Sequence, residues 1–191
     1  WVVPNTPRWI YENGVPKVDI PPRITPRRTT VKWSFPYYLD DDYKRFFFRM
    51  IDQFGQYVSK LPPELRKRII FVQSAEGSTG DGQPYKGKPT NPKYAISAKQ
   101  WSEFRINTWA AYQKAFAKDP AGALPILVNG DANRAAEHEW LIRNFSVIGC
   151  KQGMFSHGYH INDIQFRIDA WRKFTAQAHA AGKTVFTRGE Q

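Results

Sequence analysis

The stretch Arg68-Ile69-Ile70-Phe71-Val72-Gln73-Ser74-Ala75-Glu76-Gly77-Ser78-Thr79-Gly80-Asp81 decides how this chain is read. Basic residues lead into a short apolar run, and the run ends on a carboxylate followed by glycines. That is the pattern of a buried parallel strand whose carboxyl end delivers Glu76 to a loop. In α/β proteins function collects at that end of the sheet. The stretch Lys183-Thr184-Val185-Phe186-Thr187-Arg188-Gly189-Glu190-Gln191 has the same form and delivers Glu190. The two glutamates are expected to face each other, held apart at a working distance by the rest of the chain.

Between and before these stretches the apolar pattern alternates in period. Residues 41–60 carry Tyr43, Phe46, Phe47, Met50, Ile51, Phe54, Tyr57 and Val58 at helical spacing, with Asp40 and Asp41 at the start and Pro62-Pro63 as the stop. A second helix is expected over 97–118, with Ser97 as N-cap and Trp101, Phe104, Thr108, Trp109, Tyr112 and Phe116 on one face. A third covers 133–144, with Trp140 and Leu141 inward, and a fourth 163–181, with Ile164, Ile168, Trp171, Phe174 and Ala178 inward and Gly182 as its C′ residue. Short apolar strands are expected at 1–3, 124–128, 146–150 and 184–187 as well as before Glu76. Residues 4–38 read as one long Pro-rich, basic and aromatic loop.

Strict alternation of strands with crossover helices predicts an α/β protein with a parallel sheet and helices outside it. No glycine-rich phosphate fingerprint follows any strand, so a dinucleotide-binding open sheet has no support. Polar groups follow every strand, as in a (β/α)₈ TIM barrel whose βα loops together build one site. The chain, 191 residues read as a single domain, is shorter than the roughly 250 of a whole barrel. It is therefore expected to be an internal piece of one, with about strands three to seven, and not active alone.

With 41% hydrophobic and 15% aromatic residues the chain is expected to fold around a sizeable core. No apolar run approaches the roughly 20 residues of a membrane span, and no signal-peptide pattern is visible. The single cysteine, Cys150, follows an apolar stretch and reads as a buried structural thiol. The formal net charge of +11, from 28 Lys and Arg against 17 Asp and Glu, points to a polyanionic partner.

The order of elements resembles the large clan of retaining glycoside hydrolases with (β/α)₈ barrels. The piece Val3-Pro4-Asn5-Thr6-Pro7-Arg8-Trp9-Ile10 is similar to the third-strand segment of family 42-type β-galactosidases and their agarase-like relatives. That clan carries its acid/base on strand four and its nucleophile on strand seven. With Val2-Val3 as strand three, Glu76 and Glu190 fall on those two strands. The resemblance then implies Glu76 as general acid/base and Glu190 as nucleophile, in a reaction that needs the carboxyl groups about 5–5.5 Å apart. One departure stands out: the clan usually places Asn, which contacts the sugar 2-hydroxyl, immediately before its acid/base, and this chain has Ala75, so that contact is missing or comes from Asn129 or Gln73.

Further residues join the candidate site. Trp9, Trp33 and Tyr85 can stack on sugar rings, and Arg8 and the other basic residues of the first two loops can hold sulfate or carboxylate. Asn129 and Asp131 follow the middle strand. His157 and Tyr159, in His157-Gly158-Tyr159-His160, are placed to bond the nucleophile or the substrate. No carboxylate or cysteine completes a zinc set there, and no cofactor is expected. The expected partner is an oligo- or polysaccharide, a neutral β-galactoside on the resemblance alone and an anionic glycan on the basic loops; the sequence leaves location open, with a secreted or periplasmic site favoured only for a polysaccharide-active protein. Two alternatives stay open. The same basic, aromatic loops fit nucleic acid, although no helix-turn-helix, zinc-finger or RNA-binding signature is present. A barrel that binds sugar without cleaving it is the other.

Overall fold

A computed structural model describes residues 6–24, 30–78, 82–117, 122–129, 135–154 and 161–190. The chain is mixed α/β. Helix α1 (Arg8–Glu12) precedes a hairpin of β1 (Lys17–Ile24) and β2 (Thr30–Pro36), and α2 (Asp41–Ser59) and the short α3 (Pro63–Arg66) follow. Then come β3 (Val72–Gln73), α4 (Ala98–Phe116), β4 (Ile126–Asn129), α5 (Ala135–Asn144), β5 (Val147–Met154), α6 (Ile161–Ala180) and β6 (Thr184–Glu190). Strands β3 to β6 pair in parallel in chain order. The expected strand at Val2-Val3 lies outside the described residues.

The helices begin where the sequence says they should. The Asp40 side chain accepts from the Tyr43 amide at 3.0 Å, with Asp41 and Asp42 in the first turn of α2. Ser97 and Gln100 form a reciprocal capping box on α4. After α6 the chain turns at Gly182, whose φ of +71° suits a residue without Cβ.

The expected long loop over 4–38 is a correction: most of it is α1 and an antiparallel hairpin. Pro21 and Pro22 hide the hairpin from a strand reading because proline cannot donate to a ladder, and they sit where the register shifts between Ile20 and Arg23. Val18, Ile20 and Phe35 of the hairpin are buried, and the Thr90 amide donates to the Asp19 carbonyl at 2.8 Å, docking the loop after β3 onto it. The strand before Glu76 is shorter than its apolar run, and Ile70 is 73% exposed. The apolar stripe of α2 also divides. Tyr43, Phe47, Ile51 and Val58 are buried, whereas Met50, Phe54 and Tyr57 are exposed, as is Ile168 of α6.

The sheet has two buried faces. Val72, Ile126, Val128, Ile148 and Cys150 join the main core beneath the helices. Side chains alternate along a strand, so Phe71, Leu127, Gly149 and Phe186 belong to the opposite face, where Leu127 is fully buried. On that face the outer strands meet. The rings of Phe71, immediately before β3, and Phe186 on β6 lie 5.7 Å apart between centroids. In a flat sheet those strands are three spacings of about 4.8 Å apart, roughly 14 Å. The contact forms because the face is concave and because Gly149 leaves the space that Phe186 fills; a Cβ at Gly149 would lie 2.3 Å from the Phe186 ring.

Candidate functional site

The carboxyl ends of β3 to β6 gather most of the polar groups of interest. Glu76 sits three residues past β3 and is 1% exposed. Its Oε1 accepts from Ser74 Oγ at 2.8 Å and from the Trp109 indole N–H of α4, and its Oε2 accepts from Asn129 Nδ2 at 2.9 Å. A carboxylate taken from water must be repaid in hydrogen bonds, and these three donors come from β3's own extension, from α4 and from the end of β4. Asn129 thus spends one amide N–H on the glutamate. Ala75 itself is exposed.

A second buried charge stands behind the first. Arg105 of α4, 0% exposed, donates from Nη1 to Glu137 Oε2 at 2.7 Å and from Nη2 to the Asn129 carbonyl. Its guanidinium lies over the Trp109 ring, 4.8 Å from the centroid. Arg105 and Trp109, one turn apart on α4, thus hold the Asn129 backbone and the Glu76 carboxylate in one connected network. Tyr112, a turn further, is beside it: burial pushes its hydroxyl pKa well up, and the negative charge of Glu76 adds to that, against a hydrogen bond with the Ala75 backbone. Burial likewise raises the Cys150 thiol to about 12, opposed by the nearby Arg105 charge.

On the concave face, Asn129, Lys151 and Arg188 are register partners across β4, β5 and β6. Lys151 is almost buried, whereas Arg188 is exposed and donates from Nη1 to Gln73 Oε1 at 2.9 Å. Gln73 precedes Glu76 by three residues and Arg188 precedes Glu190 by two. Glu190 closes β6, its backbone paired with Met154; its side chain lies outside the described part of the structure.

The other expected site residues are scattered. Asp131, His157 and Tyr159 lie outside the described residues. Trp9 is exposed on α1 and packs edge-on against Phe46 of α2 at 5.1 Å, and Arg8 is exposed beside it. Trp33 is half-buried in β2. Tyr85 is 5% exposed, its ring packed between Phe35 and Tyr38 and its hydroxyl donating to the Tyr94 carbonyl at 3.2 Å. With Pro84, Lys88, Pro92 and Ile96 it lines an open depression of about 560 Å³ in the loop after Glu76.

Sequence reading passed over Ser74, Arg105, Trp109 as a donor, Glu137, Lys151 and Arg188. Arg105 did leave a signal, a charge inside the apolar face of an otherwise buried helix. Among the described residues no group of three or more His, Cys, Asp or Glu is placed to hold a metal ion, and no helix is long and apolar enough to cross a membrane. Comparison with protein-family models, with curated proteins and with solved structures returns no match for the chain.

Proposed function

We propose that the chain is the central part of a (β/α)₈ barrel of a retaining glycoside hydrolase, with β3 to β6 as strands four to seven. Its substrate is a β-galactoside or a related, anionic polysaccharide. Glu76 is the general acid/base and Glu190 the nucleophile. The observation that carries this reading is the meeting of β3 and β6 across the concave face. The strands that deliver the two glutamates are separated by two others in the sheet, yet Gln73 and Arg188 are hydrogen-bonded and Phe71 and Phe186 touch. Two carboxyl groups on such strand ends can approach the few ångströms that a retaining mechanism needs.

In this reading Glu190 attacks the anomeric carbon while Glu76 gives its proton to the leaving oxygen. Water, deprotonated by Glu76, then releases the sugar from Glu190. Both oxygens of Glu76 are engaged, so the Asn129 hydrogen bond to Oε2 has to yield to the glycosidic oxygen, while Ser74 and Trp109 keep Oε1 in place. In a complete barrel that carries this chain, Glu76→Gln and Glu190→Gln test the assignment on a panel of neutral, sulfated and uronic β-galactans. Each variant is expected to lose about 10²-fold or more in kcat. Activity retained by either one sinks it.

The burial of Glu76 favours a second reading. A carboxylate 1% exposed with three donors is also what a structural anchor requires. In that case the barrel binds sugar without hydrolysing it. Sugar binding with no hydrolysis by the unaltered complete barrel distinguishes this outcome.

A further inference from the structure

Arg188 brings to the mouth of the concave face a charge that no described residue neutralises. Its partner is the Gln73 side chain, and among the described residues no Asp or Glu forms an ion pair with it. Gln73 accepts one N–H through a neutral amide oxygen, so it fixes the direction of the guanidinium and leaves the positive charge whole. An arginine needing only hydration gains nothing from a partner on a strand three places away. The next strand adds to the charge. Lys151 is the register partner of Arg188, almost buried, and engaged in contacts of its own.

We propose that Arg188 is the anion-recognition residue of this site. Its remaining N–H groups, aimed by Gln73, take the carboxylate or sulfate of an acidic sugar bound next to the end of β6. This rests on the sugar-binding reading above and names the substrate class within it. The setting favours a single oxyanion on a small molecule over a polynucleotide. Nucleic acid is held by a stripe of cations that follows a phosphate backbone, whereas Arg188 lies at the rim of a concave face. A planar, always-charged fork also matches a carboxylate or sulfate in two hydrogen bonds, which a lysine does not.

The test is titration calorimetry of the full chain with three matched oligosaccharides, one neutral, one sulfated and one uronic, and with a single-stranded oligonucleotide. The same ligands are then offered to Arg188→Gln, Arg188→Lys and Gln73→Ala. The unaltered protein is expected to bind an acidic oligosaccharide about 10- to 100-fold more tightly than its neutral counterpart, the range of one charge-assisted hydrogen-bonded contact. That ratio is expected to fall to about one in Arg188→Gln, to drop several-fold in Gln73→Ala, and to survive in part in Arg188→Lys. Gln73→Ala carries the test if Arg188→Gln does not fold. The sulfated and uronic arms tell which oxyanion is preferred. A ratio unchanged in both Arg188→Gln and Gln73→Ala overturns the proposal, and so does Arg188-dependent binding of the oligonucleotide alone or no binding of either acidic sugar. Hydrolysis measured in parallel separates the two readings. With hydrolysis assayed in a complete barrel that carries this chain, Arg188-dependent binding without cleavage removes the hydrolase and keeps this site, whereas cleavage with no preference for acidic sugars does the reverse.

Discussion

Arg188 on β6 donates a 2.9 Å hydrogen bond to the Gln73 side chain on β3, although β4 and β5 lie between them in the sheet. The bond spans the concave face at the level where each outer strand is about to release a glutamate. It sits above the Phe71–Phe186 ring contact, so a polar rung closes over an apolar one. The candidate site is thus built on a curled sheet whose outer strands are tied together.

Gly149→Ala tests that curl. The added Cβ would meet the Phe186 ring at 2.3 Å, and the ring cannot stay where it is. The variant is expected to lose about 1–3 kcal/mol of stability, the usual cost of overpacking. Combining it with Phe186→Leu should recover part of the loss. Urea unfolding followed by tryptophan fluorescence measures both; equal losses in the single and double variants would show that Phe186 is not the obstacle.

Arg105→Met is expected to be among the most damaging single changes in the core. It takes the Arg105 cation from buried Glu137 and one donor from the Asn129 carbonyl, with an expected loss of about 3–5 kcal/mol. Arg105→Met with Glu137→Met removes both charges and should cost clearly less than Arg105→Met alone. Chemical denaturation of the three proteins decides this, and an additive double variant would mean the pair is not coupled.

Much of this was legible in the sequence and some of it was not, for identifiable reasons. The helices declared themselves through Asp40, Ser97 and Gly182 and through the stripe from Trp101 to Phe116. The parallel sheet followed from their alternation with short apolar runs. The hairpin did not show, because Pro21, Pro22 and Pro36 mask strands that have no inner-ladder neighbours to satisfy. The stripe of α2 overstated its buried face, since periodicity does not say how wide a face the partner covers. Nor could the surroundings of Glu76 be read, since Trp109 and Asn129 are 33 and 53 residues away and only the fold brings them to one carboxylate.

Trp109→Phe keeps the ring and removes the indole donor to Glu76 Oε1. Loss of a hydrogen bond to a buried charged group costs about 1.5–3 kcal/mol, which at about 2–4 °C per kcal/mol for a domain of this size lowers Tm by roughly 3–12 °C. Thermal unfolding by circular dichroism measures it. An unchanged Tm would mean that the indole contributes nothing to holding the carboxylate.

Stability should also decline in alkali. The Cys150 thiol is raised from 9.0 to about 12 by burial, so between these values the unfolded chain has released a proton that the folded chain retains. Fewer protons bound in the unfolded state makes stability fall as pH rises. The contribution is whole below about pH 9 and lost as pH climbs toward 12. Buried Tyr38, Tyr43, Tyr85 and Tyr112, all pushed up by burial, extend the decline to higher pH. Cys150→Ala should show a shallower fall in urea midpoint from pH 9 to 11 than the unaltered protein; parallel curves would contradict a buried thiol.

The central claim is that Glu190 forms a covalent bond to sugar with Glu76 as its acid/base. An activated 2-deoxy-2-fluoro β-galactoside slows the second step of a retaining reaction more than the first, so the glycosyl-enzyme accumulates. Intact-mass spectrometry is expected to show one added glycosyl group, peptide mapping to place it on Glu190, and hydrolysis of a galactan substrate to fall as the label builds. Tested in a complete barrel that carries this chain, hydrolysis with inversion, a label on another residue, or no label and no cleavage contradicts the account.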